Sequence, residues 1–233
     1  MSTSFRSPVQ ARLGRLVDIL FAGAGLLLLS PAILLIAVAI VVESGFPIFF
    51  SQIRIGRGGA PFRMWKFRKL DARRDDGCPL TLKNDPRMTR VGRFLAETKL
   101  DELPQLYNVL RGDMAMVGPR PESLAFADCF VGGALPVLNE RPGIFGPSQV
   151  AFRNECAFYP AGGDVVAFYR ETLFPSKVAL DLAYYPGRTV WSDLRWIARG
   201  VLAVAGGATG RAGAGPPAFM TDGLGDAGTE RNA

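Results

Sequence analysis

The sequence predicts a mainly helical α+β protein with a small β-hairpin. It is expected to meet a membrane through an N-terminal re-entrant helix-break-helix hairpin, followed by a cytoplasmic helical domain. Three observations carry this. Residues 16–42 are apolar apart from Asp18, Ser30 and small side chains, and Ser30-Pro31 sits at their midpoint. Two short runs of strand composition, 47–55 and 61–68, flank Gly56, Gly58 and Gly59. Beyond them, apolar side chains recur at helical spacing, foremost Leu103, Leu106, Tyr107 and Leu110 at i, i+3, i+4 and i+7. The 233 residues divide accordingly into a basic segment with the membrane helix (1–46), the helical domain (47–204) and a Gly/Ala-rich tail read as disordered (205–233).

The apolar run would be roughly 40 Å long as a straight helix, more than the ~30 Å hydrocarbon core requires. It is too long for a signal peptide and lacks a small-x-small cleavage site. Pro31 removes the backbone bond to Leu27 and imposes a kink. Arg6, Arg12 and Arg15 precede the run, and Arg54, Arg57, Arg63, Lys66, Arg68 and Lys69 follow it. The positive-inside tendency puts both flanks in the cytoplasm, as a hairpin dipping into one leaflet would. These residues alone also admit a tilted, proline-kinked span.

Charge and composition exclude other classes. Through Leu70 there are nine Lys and Arg against Asp18 and Glu43, while the rest carries 18 against 19, so the net +6 is concentrated beside the apolar run. That distribution suits a membrane surface better than nucleic acid, despite a pI near 9.5. Cys78, Cys129 and Cys156 are odd in number and unrelated in spacing, which argues against a disulfide framework or zinc site. With no histidine in the chain, general bases, nucleophiles and metal ligands are expected to be carboxylates.

In order, 47–55 and 61–68 form the hairpin, with Lys66 and Arg68 on one face, available to an anion. Residues 71–79 read as a mobile loop and Asn84-Asp85-Pro86-Arg87 as a turn capping a helix from Met88 to Lys99. Residues 123–138 are expected to be helical in part, interrupted at Gly132-Gly133. Arg141 to Pro147 is turn chemistry leading into Gln149–Arg153. Helices are expected over 165–174, over 177–185 with Asp181 and Tyr184 one turn apart, and over 193–204 as an amphipathic surface helix.

The stretch Lys99-Leu100-Asp101-Glu102-Leu103-Pro104 sets two acids ahead of the strongest helical stripe. A proline in a first turn places Asp101 near the N-cap and Glu102 just inside, both at the positive end of the helix dipole. Capping alone would account for such a pair. The sequel, Arg111-Gly112-Asp113-Met114 and then Val117-Gly118-Pro119-Arg120-Pro121, points further. Two prolines stiffen the backbone around a fork-shaped anion binder, which with the acids suits chemistry on phosphate.

These markers, with Ser30-Pro31, Lys66-Phe67-Arg68, Arg141-Pro142-Gly143-Ile144 and Gln149-Val150, resemble the bacterial sugar transferases. More narrowly, the chain is similar to the monotopic polyprenyl-phosphate phosphoglycosyl transferases of the minimal, catalytic-domain type, from about Arg12 to Arg199. The run LDELPQLYNVLRGDM followed by VGPRP carries most of the specificity. The resemblance implies transfer of a sugar 1-phosphate from a nucleotide diphosphate sugar, a UDP-sugar by preference, to undecaprenyl phosphate. It implies a covalent phosphosugar intermediate on Asp101, with Glu102 helping to hold Mg²⁺. It also implies a place at the inner membrane, catalytic domain on the cytoplasmic face, initiating exopolysaccharide, capsule, O-antigen or glycoprotein glycan synthesis. Arg120, Lys66, Arg68 and Arg153 are the cations expected around the phosphates; Asp181 and Tyr184 match a later Asp-x-x-Tyr and are grouped with the substrate-binding residues. Lipid bilayer and downstream glycosyltransferases are candidate partners, and the oligomeric state is open. Departures from the pattern lie at Ala96-Glu97, Lys99, Gly146-Pro147-Ser148 and Phe152. They bear on sugar choice and rate, and they keep open an alternative, a catalytically weak membrane scaffold of a polysaccharide assembly complex.

Overall fold

The computed structural model describes residues 7–71, 86–155, 158–159 and 164–208, with side chains through Val204. It is mainly helical with two small sheets. Helix α1 (Pro8–Leu28) begins well before the apolar run, because Ser7 and Gln10 form a capping box and Pro8 supplies a pre-set first turn. Helix α2 (Ser30–Ser44) follows after Leu29, and the two axes differ by 59°. The break has a local chemical cause. Pro31 offers no N–H to the Leu27 carbonyl, and Ser30 Oγ donates to that carbonyl instead, at 2.8 Å. Among the described residues no single helix is long and apolar enough to cross a membrane, though the bent pair passes that test together. Leu27, Leu28, Leu34, Leu35 and Val42 lie on its exposed face. Ile36 and Ile40 turn inward, against Phe67 and Leu95.

Strands β1 (Phe49–Ile55) and β2 (Pro61–Phe67) form the expected antiparallel hairpin, Phe49 opposite Phe67 and Ile55 opposite Pro61. Helix α3 (Arg90–Thr98) starts later than the sequence suggested: Thr89 is its N-cap, and the α2 residue Glu43 accepts from the Arg90 and Val91 amides. The turn expected at Asn84-Asp85 and the loop at 71–79 fall almost wholly outside the described residues. Helix α4 (Gln105–Arg111) leads into β3 (Ala115–Val117). Here the turn expected over 141–147 is instead partly a strand, β4 (Gly143–Phe145), parallel to β3. Sequence periodicity could not show so short a pairing. It depends on two glycines, since a Cβ on Gly118 would meet the Arg141 carbonyl at 2.0 Å and one on Gly143 the Gly118 nitrogen at 2.0 Å.

Residues 124–129 and 132–139 form 3-10 turns, and α5 (Pro147–Ala151) follows β4. The two helices expected over 165–185 are one continuous run: α6 (Val165–Phe168), a π-helical turn Tyr169–Leu173, and α7 (Phe174–Tyr184). The π turn breaks the regular ladder just ahead of Pro175, which could not have continued it. Helix α8 (Val190–Ala208) runs four residues into the segment read as tail; residues 209–233 lie outside the description. One core packs α1, β2, α4, β3 and α8 around Met64, Leu106, Val109, Met114 and Ile197, and a second gathers Phe126, Phe152, Tyr169, Leu173 and Phe174. Arg188 is buried between them and α8. Its guanidinium pairs with Glu140 at 2.7 Å and Asp193 at 2.9 Å, and donates to the Val117 carbonyl at 2.8 Å.

Candidate active site

Asp101 and Glu102 are held by backbone geometry more than by capping. Lys99 ends α3 in the left-handed conformation, φ 63°, unusual for a residue with a side chain. The chain then makes one 3-10 turn, Leu100–Glu102, and α4 begins only at Gln105. The expectation that Asp101 is the N-cap is therefore corrected: it precedes the helix and makes no capping bond. Asn108 fixes α4 to the hairpin. It is fully buried, accepts from the Trp65 amide at 3.0 Å and donates to the Arg63 carbonyl at 2.7 Å, as a neighbouring strand would. Its own carbonyl takes the amides of Gly112, Asp113 and Met114. This explains much of the Asn108–Met114 motif and sets Lys66 of β2 opposite the acids.

A cavity of about 980 Å³ opens here. Its polar wall includes Arg54, Lys66, Arg68, Lys69, Lys99, Glu102, Arg120, Glu122, Arg153, Glu155, Tyr169 and Lys177. Its apolar wall includes Phe21 and Gly25 of α1, Leu29 at the break, Leu103 and Leu106, and Ile197, Val201 and Val204 of α8. Glu102 Oε1 is 2.8 Å from Lys66 Nζ. Burial resists its ionisation, but Lys66, Arg120 and Lys99 outweigh that and hold the carboxyl well below the usual range. Burial in turn lowers Lys66 and Lys99 from the ordinary lysine value, against the pull of Glu102. Asp101 lies behind the wall, 2% exposed, with Oδ2 3.7 Å from Lys69 Nζ and Oδ1 without a hydrogen-bond partner.

Arg120 sits where the parallel sheet ends. The Gly118 amide bonds Phe145, the Gly143 amide bonds Pro119, and the Ile55 amide bonds Glu122, so the proline-flanked segment is tied on both sides. Burial opposes the Arg120 charge, but Glu102, Glu155 and Glu122 more than restore it, raising its pKa. Arg153 lines the cavity and donates to the Glu97 carbonyl at 3.3 Å. Arg68 lines the cavity as well. It falls one residue beyond β2, and its Nη2 is committed to Ser44 and the Gly45 carbonyl at the end of α2. Sequence reasoning missed the group made by Glu122, Glu155, Tyr169 and Lys177. Lys177 Nζ bonds Glu155 Oε2 at 2.6 Å and Tyr169 Oη at 3.1 Å, and Tyr169 donates to Glu122. Only the π turn gives these residues their common aim, and nothing local in the sequence signals it.

The structure does not bring Asp181 and Tyr184 to the cavity wall, and this corrects their grouping with the substrate residues. Tyr184 Oη bonds Ser192 and Asp193, joining α7 to α8. Asp181 is buried against α5, accepting from Ser148 Oγ at 3.1 Å with its Oδ1 unpartnered. Burial pushes its pKa up to about 7, the Ser148 bonds opposing. Below about pH 4 the carboxyl is protonated folded and unfolded alike; above that only the folded state keeps the proton, so stability falls as pH rises to about 7 and stays lower beyond. Asp181→Asn is expected to flatten this slope and to raise the melting temperature at pH 8 but not at pH 4, by thermal unfolding in detergent. The full shift corresponds to about 4 kcal/mol at most.

The family model described as bacterial sugar transferase matches residues 9–207, from the first helix through the last. The chain is 37% identical over 190 residues to the UDP-glucose:undecaprenyl-phosphate glucose-1-phosphate transferase of Klebsiella pneumoniae, covering 78% of this chain and 38% of that one. It is 38% identical over 192 residues to the enzyme of the same name from Caulobacter vibrioides, covering 80% and 67%. With the exopolysaccharide production protein ExoY of Rhizobium meliloti it shares 32% over 203 residues, covering 80% and 83%. The chain thus spans about two fifths of the Klebsiella protein and most of the Rhizobium one. The matched span holds the bent helix pair, the two acids and the proline-flanked arginine, and the chain belongs to the bacterial sugar transferase family.

Proposed function

We propose that the protein transfers a sugar 1-phosphate from a nucleotide diphosphate sugar to a polyprenyl phosphate, at the cytoplasmic face of a bacterial inner membrane. The observation that carries this is one cavity with two kinds of wall: a cationic wall for a diphosphate and an apolar wall, shared by α1 and α8, for an isoprenoid chain. In the reading we favour, an Asp101 carboxylate oxygen attacks the phosphorus bonded to the sugar. The bond from that phosphorus to the bridging oxygen breaks, and nucleoside monophosphate leaves. An oxygen of the polyprenyl phosphate then attacks the same phosphorus and frees Asp101. Arg120, Lys66 and Arg153 neutralise the phosphates. Lys69 steadies Asp101 in the free protein, and a bound diphosphate would compete for it.

Among the described residues there is no cluster of three or more acids, cysteines or histidines. That still fits Mg²⁺, which takes one or two carboxylates and completes its shell with water and phosphate oxygens. Glu102, the carboxylate of the pair that lines the cavity, would hold it, and the ion would draw charge from the leaving phosphate. The test is nucleoside monophosphate release from a panel of nucleotide sugars, by full-length protein in vesicles containing polyprenyl phosphate. Release with at least one sugar, lost in excess EDTA, is expected. No release from any would favour a scaffold, and undiminished release in EDTA would remove the metal from the reading.

The bent helix pair is proposed to enter and leave by one face. With the native cysteines replaced by serine, Val9→Cys and Arg63→Cys should both label only from the cytoplasmic side. Both side chains are exposed, and they lie on either side of the apolar run 16–42. Periplasmic labelling of position 9 alone would mean a span.

A further inference from the structure

The inward face of α1 carries more than packing. Gly14, Asp18 and Ala22, spaced four apart, are buried against the domain, while Leu13, Leu16, Ile19 and Leu20 face outward. Arg15 Nη1 donates to the Val109 carbonyl at 2.5 Å and Nη2 to the Leu110 carbonyl at 2.7 Å. These belong to the last turn of α4, where a cation meets the negative end of the helix dipole, and the Val109 carbonyl also takes the Gly112 amide. Asp18 Oδ1 accepts from the Met116 amide at 2.8 Å. Among the described residues β3 pairs with one strand, β4, and Asp18 meets its other edge. At the far end of α1, Gly25 lies against Leu106, where a Cβ would come within 3.2 Å. Thus α1 lies antiparallel along α4. Glu102 stands three residues before α4, and Arg120 three residues after β3.

We propose that Arg15 and Asp18 are positioning residues, through which the helix that enters the membrane sets the placement of the acidic pair relative to Arg120. Arg15 holds the helix that follows the acids, and Asp18 holds the strand that leads to the arginine. The helix is then part of the scaffold of the site as well as an anchor. This rests on the transfer reading above for its catalytic consequence, and on geometry alone for the brace.

The experiment uses full-length protein in lipid nanodiscs and a nucleotide sugar that the wild type turns over, without lipid acceptor. Intact mass gives the rate and the final amplitude of the phosphosugar adduct. Asp18→Ala should slow adduct formation about tenfold or more at saturating donor, with the amplitude of the wild type. Asp18→Asn keeps an acceptor oxygen for the Met116 amide and should stay within about threefold of wild type. Arg15→Ala should slow the rate at least fivefold. Hydrogen exchange, read independently of activity, should rise in residues 114–120 for Asp18→Ala. Loss of amplitude with an unchanged rate in the competent fraction would mean a merely structural role and overturn the proposal. So would an Asp18→Asn rate as slow as that of Asp18→Ala. If the wild type forms no adduct, the transfer reading fails instead, and unchanged exchange in 114–120 then overturns the brace.

Discussion

Asp101→Asn is expected to abolish turnover, by more than about 10³-fold, and to leave no phosphosugar adduct after incubation with nucleotide sugar. An amide oxygen cannot replace a carboxylate at phosphorus. The change should cost little stability, because Asp101 makes no capping bond and its 3.7 Å approach to Lys69 is a loose pair. A competing assignment deserves its own outcome: Glu102 lines the cavity and Asp101 does not, so the two could exchange roles. Physics favours Asp101. Glu102 is tightly paired with Lys66 and held far below the usual carboxylate range, which makes it a poor nucleophile, whereas Asp101 has a free oxygen. Glu102→Gln should therefore lose most turnover yet still form adduct slowly, with partial recovery at raised Mg²⁺. An adduct on the Asp101→Asn protein, mapped to the peptide carrying Glu102, would reverse the assignment.

Arg120→Ala should lower kcat/KM about 10³-fold, with a smaller loss for Arg120→Lys. Three acids, Glu102, Glu122 and Glu155, act on this guanidinium. Without it they would face an incoming diphosphate uncompensated, so both binding and chemistry should suffer. Lysine restores a point charge but not the two-pronged geometry. Steady-state kinetics on membrane fractions would measure this, and a loss below tenfold would remove Arg120 from the phosphate site.

What could be read from the sequence was what is local. The Ser30-Pro31 break, the hairpin at Gly56–Gly59 and the stiffened Arg120 each follow from a few adjacent residues, and the structure has all three; of the expected stripe, Leu106 is buried and Leu110 packs on the core, but Leu103 precedes α4 and Tyr107 is half exposed. Boundaries set by distant partners were not legible: α3 starts where Glu43 of another helix can cap it, and β4 exists because two glycines allow contact with β3. Asp101 is not the N-cap because Pro104 stands ahead of α4 and not inside its first turn, and the left-handed Lys99 opens a separate 3-10 turn before it. Asp181 and Tyr184 share a helix face as expected, but that face meets α5 and α8 instead of the cavity. The Lys177 group stayed hidden because it needs a π turn, which leaves no periodic mark.

The buried Arg188 has a consequence for the end of the chain. One guanidinium joins the Val117 carbonyl, Glu140 and Asp193, points 71, 48 and 5 residues from it in sequence. Peeling α8 away would take Asp193 from the buried Arg188 and leave Glu140 as its one carboxylate partner, a cost of several kcal/mol. Local opening at this terminus is therefore suppressed. The last helix should exchange its amides with the slow, cooperative unit of the protein and not with its fraying edge.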